Sequence, residues 1–244
     1  MTPASIPLTE VFPLSNLITL DVMDVDGAVR DSAELAGATR GQFLRNAGVA
    51  GAGFVAGGVI FNGLISPAQA AISSKNPSVK NDVKILNYAL TLEFLEAAFY
   101  KQAVENGALT DPIVKRFAEI VNKHEREHVA FLKKVLGKAA VKSPEFDFKD
   151  TVTNQDKFRA TAQVLEDTGV AAYSGQGPNI KQRPVVVAAL SVLSVEARHA
   201  AWIRFINTGG LGDEFNLPAP RTFDKPATEK AVLKAVGGTG FIVG

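Results

Sequence analysis

The chain has 244 residues, of which 46% are hydrophobic and 21% charged, and its formal net charge is +1 at pH 7. These values are typical of one globular domain with an appendage, and the absence of a basic stripe interleaved with aromatics speaks against a nucleic-acid partner. Because the chain has no cysteine, disulfides, thiolate metal sites and a cysteine nucleophile are excluded. Any bound metal must therefore be held by Glu, Asp and His.

The first 70 residues differ in character from the rest. Residues 1–39 carry six acids and one base and are interpreted as a polar, disordered lead-in. Residues 40–70 combine a basic start, an uncharged apolar stretch and the small-residue exit Ala68-Gln69-Ala70. This order predicts an export signal cleaved before Ala71, and hence a periplasmic or extracellular protein. An uncleaved membrane anchor is the alternative, because the apolar stretch approaches the roughly 20 residues that span a bilayer.

The start of this signal resembles a twin-arginine export signal. Residues 39–45 read Thr-Arg-Gly-Gln-Phe-Leu-Arg, which keeps the Phe-Leu pair and a trailing base. Gly41 stands where the second arginine of that pattern would be, so the resemblance is to a degenerate form.

Apolar periodicity, capping residues and Gly/Pro breaks predict four long helices within residues 71–210. An arm over 211–244 contains one short helix, which we expect to pack on the outside of the bundle. Residues 138–153, between the second and third helices, could extend to about 50 Å and cross the length of the bundle. The fourth helix is the most apolar, and we expect it to be the most buried. The five predicted helices cover residues 81–106, 111–137, 154–173, 184–207 and 228–236, the first starting at Asn81-Asp82.

The four long helices form an internal repeat. Leu92-Glu93 and Leu165-Glu166 are each followed by a tyrosine seven residues after the glutamate, Tyr100 and Tyr173. The next helix of each pair carries Glu-x-x-His, as Glu125 with His128 and as Glu196 with His199. Positions i and i+3 share a helix face, so each motif offers a carboxylate and an imidazole to one point. Helix pairs related by an approximate twofold axis would bring four glutamates and two histidines together.

Ferritin-like carboxylate proteins have the same pattern, with one Glu from each of two helices and a Glu-x-x-His from each of the other two. Residues 81–207 resemble a ferritin-like domain, similar to bacterioferritin and rubrerythrin, and most closely resemble exported ferritin-like proteins related to desiccation-associated proteins. The resemblance implies an all-α, up-down-down-up four-helix bundle with a long crossover between helices 2 and 3. It also implies a centre of two iron or two manganese ions. In that centre Glu125 and Glu196 bridge or cap both ions, His128 and His199 bind one each, and Glu93 and Glu166 are terminal ligands.

Three further residues belong to this prediction. Glu96, one turn from Glu93, is the alternative ligand, but the repeat aligns Glu96 with Gly169 and Glu93 with Glu166. Tyr100 and Tyr173 are either core aromatics or, as the resemblance implies, hydrogen-bond partners of the ligand carboxylates.

Two divalent ions would balance four carboxylates, so the metal-free site should show raised Glu pKa values and lower stability. The resemblance implies oxidation of Fe(II), or a reaction with O2 or H2O2, in stress protection. It allows a homodimer, and the tail gives no indication of a storage cage. Alternatives are manganese-catalase-like disproportionation of peroxide and a non-enzymatic envelope protein with a structural metal. The zinc-protease motif His-Glu-x-x-His, over residues 124–128, is a further alternative that leaves the second half of the repeat unexplained.

Overall fold

The computed structural model of the protein describes residues 72–210 and 217–243. The predicted lead-in and export signal lie outside the described residues. Within the described ranges the chain is helical, and its β-type pairing is one isolated bridge between Phe146 and Ile242. The predicted all-α fold is therefore confirmed.

Four long helices, α1 to α4, form the bundle, and a shorter α5 follows. α1 packs along α2, and α3 packs along α4. The Asn81 side chain, near the start of α1, donates to the backbone oxygen of Asn179, just after α3, so these two helices are antiparallel. With the crossover between α2 and α3, the order is up-down-down-up. The bounds are α1 Val79–Glu105, α2 Pro112–Leu136, α3 Gln155–Gln176, α4 Arg183–Asn207 and α5 Glu229–Thr239.

Capping side chains explain where α2 and α3 begin. Asp111 accepts hydrogen bonds from the backbone N–H groups of Ile113 and Val114, and Pro112 takes the first helical position. Asn154 accepts from the backbone N–H of Lys157 at the start of α3. Each cap satisfies backbone donors that have no partner inside the helix.

The predicted start of α1 was wrong by two residues. Ser78 is the N-cap, and the helix begins at Val79. Asp82 is instead fully buried and accepts from the backbone N–H groups of Lys181 and Gln182, at 2.7 and 2.9 Å. A carboxylate that looks like a local cap in the sequence therefore fastens the segment that leads into α4.

The predicted ends of α3 and α5 were both too early. α5 continues to Thr239. α3 continues through Gly175 to Gln176. A Cβ at Gly175 would lie 1.8 Å from the backbone oxygen of Ala227, so the returning tail crosses the helix where a side chain is missing. The backbone N–H of Ala227 donates to the oxygen of Ala171, which holds the tail on the outside of α3.

The expectation that α4 is the most buried helix was wrong. Its buried residues lie on one face, while Leu190 and Phe205 are about half exposed. α1 is the more enclosed helix, because the 3₁₀ turn Lys149–Val152 of the crossover also packs on it. Among the described residues α4 is also the one helix long and apolar enough to cross a membrane. It carries buried Glu196 and His199 on its bundle face, as a core helix would.

The two ends of the bundle are filled differently. At the end where α2 begins, aromatic rings pack edge to face or stacked, with centroids 5.2 to 5.9 Å apart. α5 and the C-terminal segment close this end through Val232, Val236 and Phe241. At the opposite end the core is aliphatic and includes Ala89, Leu132 and Val192. The rings at the aromatic end belong to Phe99, Tyr100, Phe117, Phe148 and Phe158.

Candidate metal centre

The acidic residues of the repeat meet halfway along the bundle. Glu125, Glu166 and Glu196 have no exposed surface, Glu93 has 1% and His199 has 2%. The His128 side chain is 13% exposed. Buried carboxylates are costly unless a cation or a hydrogen bond compensates them, so a cluster of four requires an explanation.

The six side chains form two overlapping groups of four. Within each group, one ligand-type atom per residue lies within 4.8 Å of the others. Glu125 and Glu196 belong to both groups, which makes two adjacent positions for a cation that share two carboxylates. The first group adds Glu93 and His128, and the second adds Glu166 and His199.

The histidines face the carboxylates through Nδ1. His128 Nδ1 lies 3.2 Å from Glu93 Oε2, 3.1 Å from Glu125 Oε2 and 3.2 Å from Glu196 Oε1. His199 Nδ1 lies 3.1 Å from Glu125 Oε1 and 3.2 Å from Glu166 Oε2. His128 thus presents one nitrogen to three carboxylate oxygens, and His199 presents one nitrogen to two at this distance.

Several of these buried atoms have no hydrogen bond of proper geometry. They are Glu125 Oε1, Glu166 Oε2, both carboxylate oxygens of Glu196, and His199 Nδ1. Nearly all buried polar atoms in proteins have a partner, so a convergent group without one indicates a missing ligand. Oxygen and imidazole donors in this arrangement fit divalent iron or manganese.

The tyrosines of the repeat support the terminal carboxylates across the bundle. The Tyr173 hydroxyl donates to Glu93 Oε1, and the Tyr100 hydroxyl donates to Glu166 Oε1. In both cases the other oxygen, Oε2, faces a histidine. Each tyrosine therefore fixes the orientation of a carboxylate and leaves one oxygen for a cation.

The electrostatics of the cluster differ from the expectation in one residue. Burial, followed by the charge of Glu125, raises the pKa of Glu93 to about 8. Burial likewise raises the pKa of Glu166 and, well above its usual value, that of Glu196. Glu125 is the exception: burial opposes ionisation, but contacts with both histidines lower its pKa to about 2.

The histidines hold protons in the cluster. Burial would lower the pKa of His199, but its contacts with Glu125 and Glu166 raise the pKa to about 10. The pKa of His128 is raised in the same way by Glu125, Glu196 and Glu93. Without a metal, imidazolium groups thus compensate the carboxylates, and a cation must displace their protons.

Glu96 lies beside the cluster and outside both groups of four. It is 4% exposed. A Cβ at Gly169, its counterpart in the repeat, would lie 3.4 Å from Glu96 Oε1 and 3.3 Å from Glu196 Oε2. Gly169 thus leaves space for a fifth carboxylate, that of Glu96. Burial, together with the charges of Glu196 and Glu166, raises the pKa of Glu96 well above its usual value.

Sequence reasoning missed the role of His124. Its Nδ1 lies 2.9 Å from Nε2 of His199, so the two imidazoles are hydrogen-bonded between α2 and α4. When Nε2 of His199 carries the proton, its Nδ1 is free to bind a metal. Position 195, the counterpart of 124 in the repeat, is valine, and this asymmetry is the signal in the sequence that could have indicated the role. A zinc-protease arrangement does not form, because His124 is turned to His199 and stands outside both groups.

Comparison with known proteins agrees with this geometry. The family model described as a ferritin-like domain matches residues 81–208, which span all four helices of the bundle. A search of curated proteins finds no match. The match covers more than half of the chain, and the chain therefore belongs to the ferritin-like domain family.

Proposed function

We propose that the protein binds two iron or manganese ions at the centre of the bundle and oxidises Fe(II), or reacts with O2 or peroxide, in stress protection. The observation that carries this proposal is the pair of overlapping four-residue groups, within which five buried ligand-type atoms converge without a hydrogen bond.

Each residue of the cluster has a defined part in the proposal. Glu125 and Glu196 would be shared by the two ions, with Glu93 and His128 on one side and Glu166 and His199 on the other. When bound, the two ions supply two electrons in one step. With iron bound, oxidation of two Fe(II) would reduce one O2, which would take up two protons and leave as H2O2.

The protein residues would hold the ions in a largely buried site. Tyr100 and Tyr173 keep the terminal carboxylates in place, and His124 positions His199. Since four glutamates balance the charge of two divalent ions, the loaded centre is close to neutral and tolerates burial better than the empty one.

Elemental analysis of protein purified from its own host, followed by stopped-flow mixing with Fe(II) and O2, tests the proposal. We expect close to two ions per chain and rapid Fe(II) oxidation. His128→Ala and His199→Ala should each lose metal, whereas Glu127→Ala, an exposed residue of the same motif, should not. Unchanged metal content in both histidine variants would refute the proposed ligands.

The same measurements separate the alternatives. Bound manganese together with disproportionation of H2O2 would support the catalase-like alternative. Bound metal without either activity would support a structural role for the metal.

We further propose that residues 40–70 direct export and are removed. The intact mass of the protein isolated from its host, together with its N-terminal sequence, tests this. A mature chain starting at Ala71 in the extracytoplasmic fraction is expected, and an uncleaved chain in the membrane fraction would support the anchor.

A further inference from the structure

An apolar cavity, partly open to solvent, lies between the helices at the aliphatic end of the bundle. All four long helices line it, and its lining exposes no polar surface. The cavity offers about 20 Å³ to the centre of a water-sized sphere. Since about 10–15 Å³ on this measure holds one water, there is room for roughly one small molecule. The walls include Ala89, Leu92, Leu132, Ala172, Tyr173 and Val192.

One wall residue of the cavity, Tyr173, contacts the metal cluster. Its hydroxyl donates to Glu93, a member of the group that contains His128. Tyr100, the counterpart in the repeat, is instead enclosed by the rings of Phe99, Phe117 and Phe158. The repeat is thus symmetric in its ligands but not in the packing behind its tyrosines.

We propose that this cavity holds dioxygen and delivers it to the Glu93 and His128 side of the centre. The inference rests on the proposed function and names its oxidant. Apolar cavities in proteins bind apolar guests such as xenon. Dioxygen is apolar and loses no hydrogen bonds on entry. Hydrogen peroxide would lose its hydrogen bonds to water against walls that expose no polar surface, so this route disfavours it.

Small residues keep the cavity open. Ala89 is buried on α1, and a leucine there would project into the space between the helices. Ala130 is an exposed alanine on α2 and provides a control with the same substitution. Leu132→Ala removes a wall residue and should enlarge the cavity, which gives a second test if Ala89→Leu folds poorly.

Xenon binding tests the cavity without metal or activity. Crystals of the metal-free protein pressurised with xenon should show one site at the cavity in the wild type and in Ala130→Leu. The site should be lost in Ala89→Leu and gain occupancy in Leu132→Ala. Absence of xenon from both the wild type and Leu132→Ala would overturn the inference.

Stopped-flow oxidation of the Fe(II)-loaded protein then tests delivery. In Ala89→Leu the rate with O2 should fall roughly tenfold, as an added barrier of about 1.4 kcal/mol gives. The rate with H2O2 should stay unchanged, and Ala130→Leu should match the wild type with both oxidants. Equal slowing with O2 and H2O2, or no slowing with either, would overturn the delivery role. If xenon binds in the cavity but O2 does not oxidise the bound iron, the proposed function is refuted, and the delivery role with it.

Discussion

Metal binding should release protons, because the metal-free cluster holds them at pH 7. His128 and His199 have raised pKa values, and that of Glu93 is raised to about 8. A group with pKa 8 is about nine-tenths protonated at pH 7, so these three side chains together carry about three protons. The ligand forms are neutral imidazole and carboxylate, so two ions per chain should displace about three protons or more.

Titration of the metal-free protein with Mn(II) under argon, in weakly buffered solution with a pH-sensitive dye, measures this release. Isothermal titration calorimetry in two buffers of different ionisation enthalpy gives an independent count. Glu127→Ala, which leaves the cluster intact, should release the same number as the wild type. Binding of two ions with no proton release would refute the assigned protonation and the view that imidazolium groups compensate the empty centre.

The same groups make the metal-free protein sensitive to rising pH. The folded pKa of Glu93 lies above its unfolded value of 4.5, and that of His199, about 10, lies above 6.5. Folding therefore favours the protonated forms, and this contribution is present at low pH and is lost as pH rises through about 8 and about 10. Each loss is on the order of a few kcal/mol. The Tm of metal-free protein should fall from pH 6 to pH 9, while stabilisation by added metal grows as protons compete less.

Three substitutions test other parts of the account. Gly175→Ala should lower Tm, with tail residues becoming sensitive to protease, because its Cβ would collide with Ala227, whereas Gly177→Ala, with open space around it, should not. His124→Phe should keep the fold, as measured by circular dichroism. It should weaken metal binding roughly 10–100-fold in calorimetry, because Nε2 of His199 loses its hydrogen-bond partner. Unchanged affinity would count against the positioning role of His124. Asp82→Ala should lower the free energy of unfolding in urea by about 2–3 kcal/mol, because the backbone N–H groups of Lys181 and Gln182 both lose their acceptor, and a loss below about 0.5 kcal/mol would contradict this.

The bundle was predictable because its signals are local and repeated. Asp111-Pro112 and Asn154 cap helices as their sequence indicates. The matched spacing in the two halves predicted which six side chains the fold brings together, since residues three or seven apart on a helix share a face.

The errors arise where a side chain serves a distant segment. Asp82 is a typical capping residue, but its partners lie in the segment before α4. Gly175 looks like a helix terminator, yet it is needed because Ala227 passes over the helix. Burial of α4 was overestimated because apolar composition does not tell which neighbours cover a helix face. Contacts between positions far apart in the sequence have no local pattern, and His124 with His199 is a further case.

The most direct test of the central claim is anomalous diffraction at the iron and manganese edges from crystals of the metal-loaded protein. We expect two peaks about 3.5–4 Å apart, both in contact with Glu125 and Glu196, one beside His128 and the other beside His199. No peak between these residues in fully loaded protein, or a single ion held elsewhere in the chain, would contradict it.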